Sequence, residues 1–427
     1  TSFQGLAQIQ IAKRRIEENV TVTYEQALAS VLPIVRAMDA HTVSLASVSG
    51  DILARDVFAD RNIPPFPRVA MDGYAVIWTG REVEKPYRVV GTVNPGGAWN
   101  GDAADSDCIK IMTGAMVPPP FDTVIQVELA KAAPDGTIRF TDPVKRGENI
   151  AREGEDVREG AVLIPAGTLL SPHHVAILSS VGQWAVPVYK RPSVAVLATG
   201  SELVEPWETA QGPMIRNSNS HFLLAALKEL GFAEIRYLGI APDDRERIVS
   251  KILEGLDCDF LLLSGGVSVG DVDIVPDCLN ACGVRKILHK VAVKPGKPIF
   301  VGESPGGGIV IGLPGNPVAV MVHFHMFIRP LLLKASGATE YLPKPILLPL
   351  ARSAANKSGG KKFTIARLES DGGETRVAEI PSHGSGDFVS ACRADGVFEI
   401  PLGTVQLPAG HFVRFYPIWG NFLSNEG

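Results

Sequence analysis

The sequence predicts a multidomain protein of the α/β-plus-β class. A central parallel α/β domain follows a mostly β module and precedes a small C-terminal β barrel or sandwich. Three observations carry this reading. Between residues 192 and 333, strand-like apolar runs alternate with helical patterns, as in a parallel α/β sheet. On either side, short apolar runs alternate with Gly/Pro turns. The chain of 427 residues is also too long for one core.

Residues 4–18 form a polar, charged pattern that predicts a helix. Thr23 and Gln26 make a capping box ahead of Leu28, Val31, Leu32, Val35 and Met38, an amphipathic helix. From Pro64-Pro-Phe-Pro67 to about residue 150 the pattern is β, with strands predicted over 87–93 and 123–127. Ser171-Pro172 starts another helix, which Gly182 ends. Strands are then predicted over 194–198, 237–240, 260–263, 287–293 and 309–311, and helices over 218–230, 244–253 and 272–281. An apolar helix over 317–333 closes the segment. After Ala338, strands are predicted over 346–350, 363–368, 397–400 and 412–416.

Hydrophobic residues make up 45% and charged residues 20%, ordinary for a soluble globular protein. A net charge of −5 argues against a nucleic-acid or anionic-membrane surface. No uncharged apolar run approaches the roughly 18–20 residues of a membrane helix. The opening Thr1-Ser-Phe-Gln-Gly has no signal-peptide pattern, and its first residue suggests a start further upstream. Five cysteines, an odd and sparse set, fit a reducing cytoplasm. Cys278 and Cys282, at helical spacing, are expected as buried thiols.

Five loops between Ala198 and Pro317 each follow an apolar run and carry groups suited to an anion or a divalent cation. Beyond the carboxyl ends of parallel strands is where α/β sheets bind ligands. In the sharpest, Ser264, Gly265, Gly266, Ser268 and Gly270 supply positive-φ turns, open N–H groups and hydroxyls before a helix. Asp271 and Asp273 follow, with oxygens suited to Mg²⁺. Lys294 and Lys297 flank a Pro-Gly turn and suit a phosphate or oxyanion. Lys290 alternates to the face of Lys294 if one strand runs through both. Pro314-Gly315-Asn316-Pro317 exposes N–H groups ahead of a helix. Glu202 after Thr199-Gly-Ser offers a second carboxylate. Asp243 and Asp244 serve as site acids or as helix caps. There is no P-loop, dinucleotide fingerprint, zinc spacing or nucleophile elbow, so catalysis would rest on orientation and charge.

The joint order of Met71-Asp-Gly-Tyr-Ala, Thr113-Gly-Ala, Gly154-Glu-Asp156, Thr199-Gly-Ser-Glu-Leu203, Ser264-Gly-Gly-Val-Ser-Val-Gly-Asp271, Lys294-Pro-Gly-Lys-Pro298 and Leu313-Pro-Gly-Asn-Pro317 resembles the MoeA-type molybdopterin molybdenumtransferases. The gephyrin and plant Cnx E domains belong to that family. The resemblance covers nearly all of the chain after about residue 20. It implies a discontinuous N-terminal helical domain (1–57 and 151–190), an inserted β module (58–150), a MogA-like α/β domain (191–335) and a C-terminal β barrel (336–427), in an elongated homodimer. It implies Mg²⁺-dependent insertion of molybdate into adenylylated molybdopterin, with release of AMP. Functional positions carried over are Asp72, Thr113, Asp156, Glu202, Asp243 or Asp244, Asp273, Lys290, Lys294, Pro314, Pro317 and Ser385. Asp72 and Thr113 would face the partner subunit's loops. The molybdopterin adenylyltransferase and apo-molybdoenzymes are implied as contacts. Ala151, where arginine is usual, and Gly360-Lys361-Lys362, where Gly-Arg is common, depart from the pattern. Three alternatives stay open: molybdopterin adenylylation, a non-catalytic cofactor-binding or scaffolding paralogue, and a tungstate-handling version.

Overall fold

The computed structural model describes residues 21–80, 83, 85–267 and 274–418. The helix expected over 4–18, and Ser268, Gly270, Asp271 and Asp273, lie outside these residues.

Helix α1 (Tyr24–Val31) starts as expected: the Thr23 hydroxyl accepts from the Gln26 amide, and the Gln26 side chain accepts from the Thr23 amide. Its buried face, Ala27, Leu28 and Val31, joins the largest core, with Leu288, Met326 and Phe363. Strand β1 (Ala40–Ser44) follows. The β module is a four-stranded sheet of β2 (Gly73–Val76), β3 (Arg88–Val93), β4 (Asp107–Ile111) and β5 (Thr123–Gln126), in the order β3-β4-β2-β5. Gly73 is required there, because a Cβ would lie 2.0 Å from the Ile125 carbonyl oxygen across the β2–β5 ladder. Helix α2 (Pro172–Ser180) starts at Ser171, whose amide donates to His174 Nδ1. Strand β6 (Ala185–Tyr189) then returns antiparallel to β1. Val48, Leu53, Ile164, Leu178 and Val188 share one core, so the segments before and after the β module pack together.

The α/β region contains β7 (Val194–Thr199), α3 (Ser218–Glu229), β8 (Ile235–Ala241), α4 (Arg245–Gly255), β9 (Phe260–Ser264), α5 (Val275–Ala281), β10 (Arg285–His289), β11 (Val293–Lys294), β12 (Phe300–Glu303) and β13 (Ile309–Leu313). The sheet order is β8-β7-β9-β13-β12-β10. The four strands β8, β7, β9 and β13 are parallel and nearly continuous in apolar residues, as a sheet covered on both faces requires. The sheet is not wholly parallel, however: β12, absent from the sequence reading, runs antiparallel between β13 and β10. The helix expected over 272–281 starts at Val275.

The strand expected over 287–293 is two strands in two sheets. Lys290 breaks it with φ +78°, and β11 leaves to pair with the C-terminal sheet. This ends the alternation that would have put Lys290 and Lys294 on one strand face. Pro317–Ala335 forms one continuous run of helical turns: α6 (Pro317–His323), a π turn over Phe324–Ile328 and α7 (Arg329–Ala335). It is long and apolar enough to cross a membrane, with mean hydropathy 1.4, but 78% of its most apolar window is buried within the protein, as for a core helix.

The C-terminal region has β14 (Ile346–Pro349), β15 (Lys361–Asp371), β16 (Glu374–Glu379), α8 (Phe388–Ala391), β17 (Gly396–Ile400) and β18 (Phe412–Pro417). The path is β11-β15-β17-β18-β14, with β16 on the other side of β15. Leu350, just past β14, bridges Val377 of β16, so the strand path returns on itself.

Candidate active site

Four of the five loops meet at the carboxyl ends of β7, β8, β9 and β13. The loops after β7, β9 and β13 border a cavity of about 560 Å³ lined by Thr199, Glu202, Asn219, Ser264, Gly315 and Asn316 among others, while no residue of the Ala241–Asp244 loop lines it. Backbone geometry explains the glycines. Gly265 has φ +101°, donates its amide to the Leu313 carbonyl at 3.0 Å, and approaches Thr199 so closely that a Cβ would lie 2.2 Å from the Thr199 oxygen. Pro317 opens α6 at its first turn, and Pro314, Gly315 and Asn316 form the approach to it.

The acids divide into two kinds. Asp244 is the N-cap of α4, accepting from the Arg247 amide at 2.9 Å. Asp243 instead ties two loops: its Oδ2 accepts from the Ser201 amide at 2.9 Å, and its own amide donates to Ser201 Oγ at 2.9 Å. The Glu202 carboxylate folds over Gly200, where a Cβ would lie 2.5 Å from Glu202 Oε2. Among the described residues no group of three or more His, Cys, Asp or Glu side chains comes together. Carboxylate oxygens at a cavity rim fit a hard cation that keeps waters and phosphate oxygens as its other ligands.

Asn219 was not found from the sequence. It lies in the first turn of α3, and its Nδ2 donates to Ser264 Oγ at 2.9 Å and to the Gly315 carbonyl at 2.8 Å. The Asn217-Ser-Asn219 sequence gives only a helix-start signal, and a cross-loop brace has no local pattern.

The fifth loop lines a second cavity, about 530 Å³, with Lys294, Gly296, Lys297, Ser358, Gly359 and Ser385. It is therefore not at the end of a strand in the same sheet as the other four, but at the seam with the C-terminal sheet. Ser385 and Gly386 make the wall shared with the first cavity: Ser385 lines the second, Gly386 the first, and the Ser385 carbonyl accepts from the Val318 amide at 3.1 Å. His323 Nε2 donates to the Gly296 carbonyl at 2.7 Å, and burial pushes the His323 imidazolium down to a pKa of about 4, so the ring is neutral. Lys290 does not line this cavity.

The lysines of Gly360-Lys361-Lys362 are committed elsewhere. Lys361 pairs with Glu399 at 3.1 Å and with Glu25, and Lys362 pairs with Glu379 at 2.9 Å. Neither replaces a guanidinium in the cavity.

Asp72 and Thr113 come together on the β module. Asp72 Oδ1 accepts from the Thr113 amide at 2.7 Å and the Thr113 hydroxyl at 2.6 Å, and both residues are exposed. The Thr113 hydroxyl first, then its amide, holds the Asp72 carboxyl below its usual range. Asp156 is exposed elsewhere, its amide donating to the Ile63 carbonyl at 3.0 Å. Neither the Asp72–Thr113 pair nor Asp156 lines either cavity.

Comparison with known proteins gives a consistent picture. Residues 22–182 match the MoeA N-terminal region (domain I and II), 195–334 a probable molybdopterin binding domain, and 348–418 the MoeA C-terminal region (domain IV). A Synechocystis molybdopterin molybdenumtransferase is 30% identical over 402 residues, covering 91% of this chain and 100% of the relative. One from Haemophilus influenzae is 33% identical over 320 residues, covering 75% and 78%. The crystal structure of the molybdopterin biosynthesis moeA protein of Pyrococcus horikoshii OT3 superposes with a TM-score of 0.78 at 29% identity, covering 93% of this chain and 100% of that one.

Proposed function

The chain belongs to the MoeA family of molybdopterin molybdenumtransferases, and on that premise we propose that it inserts molybdate into adenylylated molybdopterin, releasing AMP, with Mg²⁺. The observation that carries this reading is the pair of cavities sharing the Ser385–Gly386 wall. One offers turn N–H groups and hydroxyls suited to phosphate. The other presents two lysines suited to a doubly charged oxyanion.

In this scheme Ser264, Gly265, Gly315 and Asn316 bind and orient the nucleotide-pterin, and Pro314 and Pro317 fix the turn that shapes one rim. Lys294 and Lys297, with Ser385, hold molybdate beside it, which lowers the entropy barrier to metal transfer. Glu202 and Asp243, with Asp271 and Asp273, would hold Mg²⁺, and that ion would supply positive charge to offset the charge of the phosphoanhydride. Asp72 and Thr113, exposed and prearranged, complete the partner subunit's cavity in an elongated homodimer. The C-terminal strands form a barrel, and the setting is cytoplasmic.

The test is AMP release from adenylylated molybdopterin on addition of molybdate. Lys294→Ala is expected to raise the molybdate concentration for half-maximal release at least tenfold. Full activity in an Asp273→Ala, Lys294→Ala double variant would sink the proposal.

A further inference from the structure

We propose that Asn219 is a positioning residue that makes the Ser264 hydroxyl a hydrogen-bond donor to ligand, a role that rests on ligand binding in the larger cavity. Gly315 fixes which way the Asn219 amide points. Its carbonyl can only accept, so the Asn219 atom 2.8 Å from it is the NH₂ group. The same NH₂ reaches Ser264 Oγ at 2.9 Å, and a hydroxyl that accepts there keeps its own proton to give. That proton meets no acceptor among the described residues, while Ser264 lines the cavity. Asn219 Oδ1 is buried with no partner among the described residues, so the side chain is held by its NH₂ alone. One amide thus ties the loops after β9 and β13 to the start of α3 and sets the polarity of the hydroxyl between them. A donor so fixed selects an acceptor on the ligand, such as a phosphate oxygen or a ring carbonyl.

A double-mutant cycle tests this on the full chain, with adenylylated molybdopterin as probe. Ligand Kd, molybdate-dependent AMP release and thermal unfolding are measured for Ser264→Ala, Asn219→Leu and the double variant, with Asn219→Ala as a second change of different volume. Ser264→Ala is expected to weaken binding about tenfold and Asn219→Leu about fivefold, as for a hydrogen bond lost and one misoriented. The double variant is expected to bind like Ser264→Ala alone, because Asn219 acts through that hydroxyl. Losses that multiply to about fiftyfold, or wild-type affinity in both Asn219 variants, overturn the positioning role while leaving the function intact. If the unmodified protein neither binds the probe nor releases AMP, the functional reading itself fails and this inference with it.

Discussion

Asp72 accepts two hydrogen bonds from a single residue, Thr113, one from its amide and one from its hydroxyl. The two lie on separate turns of the β module, on an open face. A carboxylate held this way is ionised and oriented before any ligand arrives. Removing the hydroxyl in Thr113→Val leaves only the amide bond. The Asp72 pKa, followed by NMR, is then expected to move up toward the ordinary 3.8. An unmoved titration would mean that the hydroxyl does not hold the charge.

His323 gives the fold a pH dependence with a definite sign. Its folded-state pKa is pushed from 6.5 to about 4 by burial, and that of the neighbouring His325 to about 3. Below pH 6.5 the unfolded chain takes up protons that the folded chain refuses. The stability present at neutral pH is therefore lost as pH falls from 6.5 toward 4, by up to about 1.4 kcal/mol per pH unit for each ring. Urea unfolding between pH 7 and 4.5 should show this slope. His323→Gln, which can still donate to Gly296, should reduce it.

The Lys361 ammonium joins α1 to the C-terminal sheet through Glu25 and Glu399. Glu399 is buried and also accepts from Arg414 at 3.1 Å and Tyr416 at 3.1 Å, so it does not become bare when Lys361 is lost. Lys361→Met is therefore expected to cost about 2 kcal/mol in urea unfolding, below the full cost of orphaning a buried charge. Molybdate dependence should not change, because this lysine does not line the smaller cavity and its ammonium is paired with Glu25 and Glu399.

Asp243 and Asp244 are adjacent but should behave differently. Asp244→Ala removes a helix cap and is expected to lower stability by about 1 kcal/mol, with Mg²⁺ dependence unchanged. Asp243→Ala frees the Ser201 loop and is expected to raise the Mg²⁺ concentration needed for AMP release several-fold. Equal behaviour of the two variants in a Mg²⁺ titration would refute this division.

Local signals in the sequence marked what local physics decides. The Thr23–Gln26 capping box, the Ser171-Pro172 helix start and the apolar strands β7 and β9 all fall where expected. So do the glycine turns that let Gly265 approach Thr199. What escaped depends on partners far along the chain. The stretch 300–303 has no sign of its antiparallel direction, which is set by its neighbours β13 and β10. Lys290 looked like part of a strand because its positive φ is imposed by the turn between two sheets. Asn219 carries an ordinary helix-start sequence, and only the packed loops give its side chain two acceptors.

The path of β11 has a consequence for how the molecule breathes. The Ala292 amide donates to Val22, and the Lys361 amide donates to Ala292, so one short strand is laced into the N-terminal segment on one side and the C-terminal sheet on the other. Freeing this stretch entirely breaks both laces. Exchange of the Ala292 and Lys361 amide protons should therefore slow together and report the same opening free energy. Lys294, which lines the smaller cavity, then rides on a cross-stitch and not on a free loop.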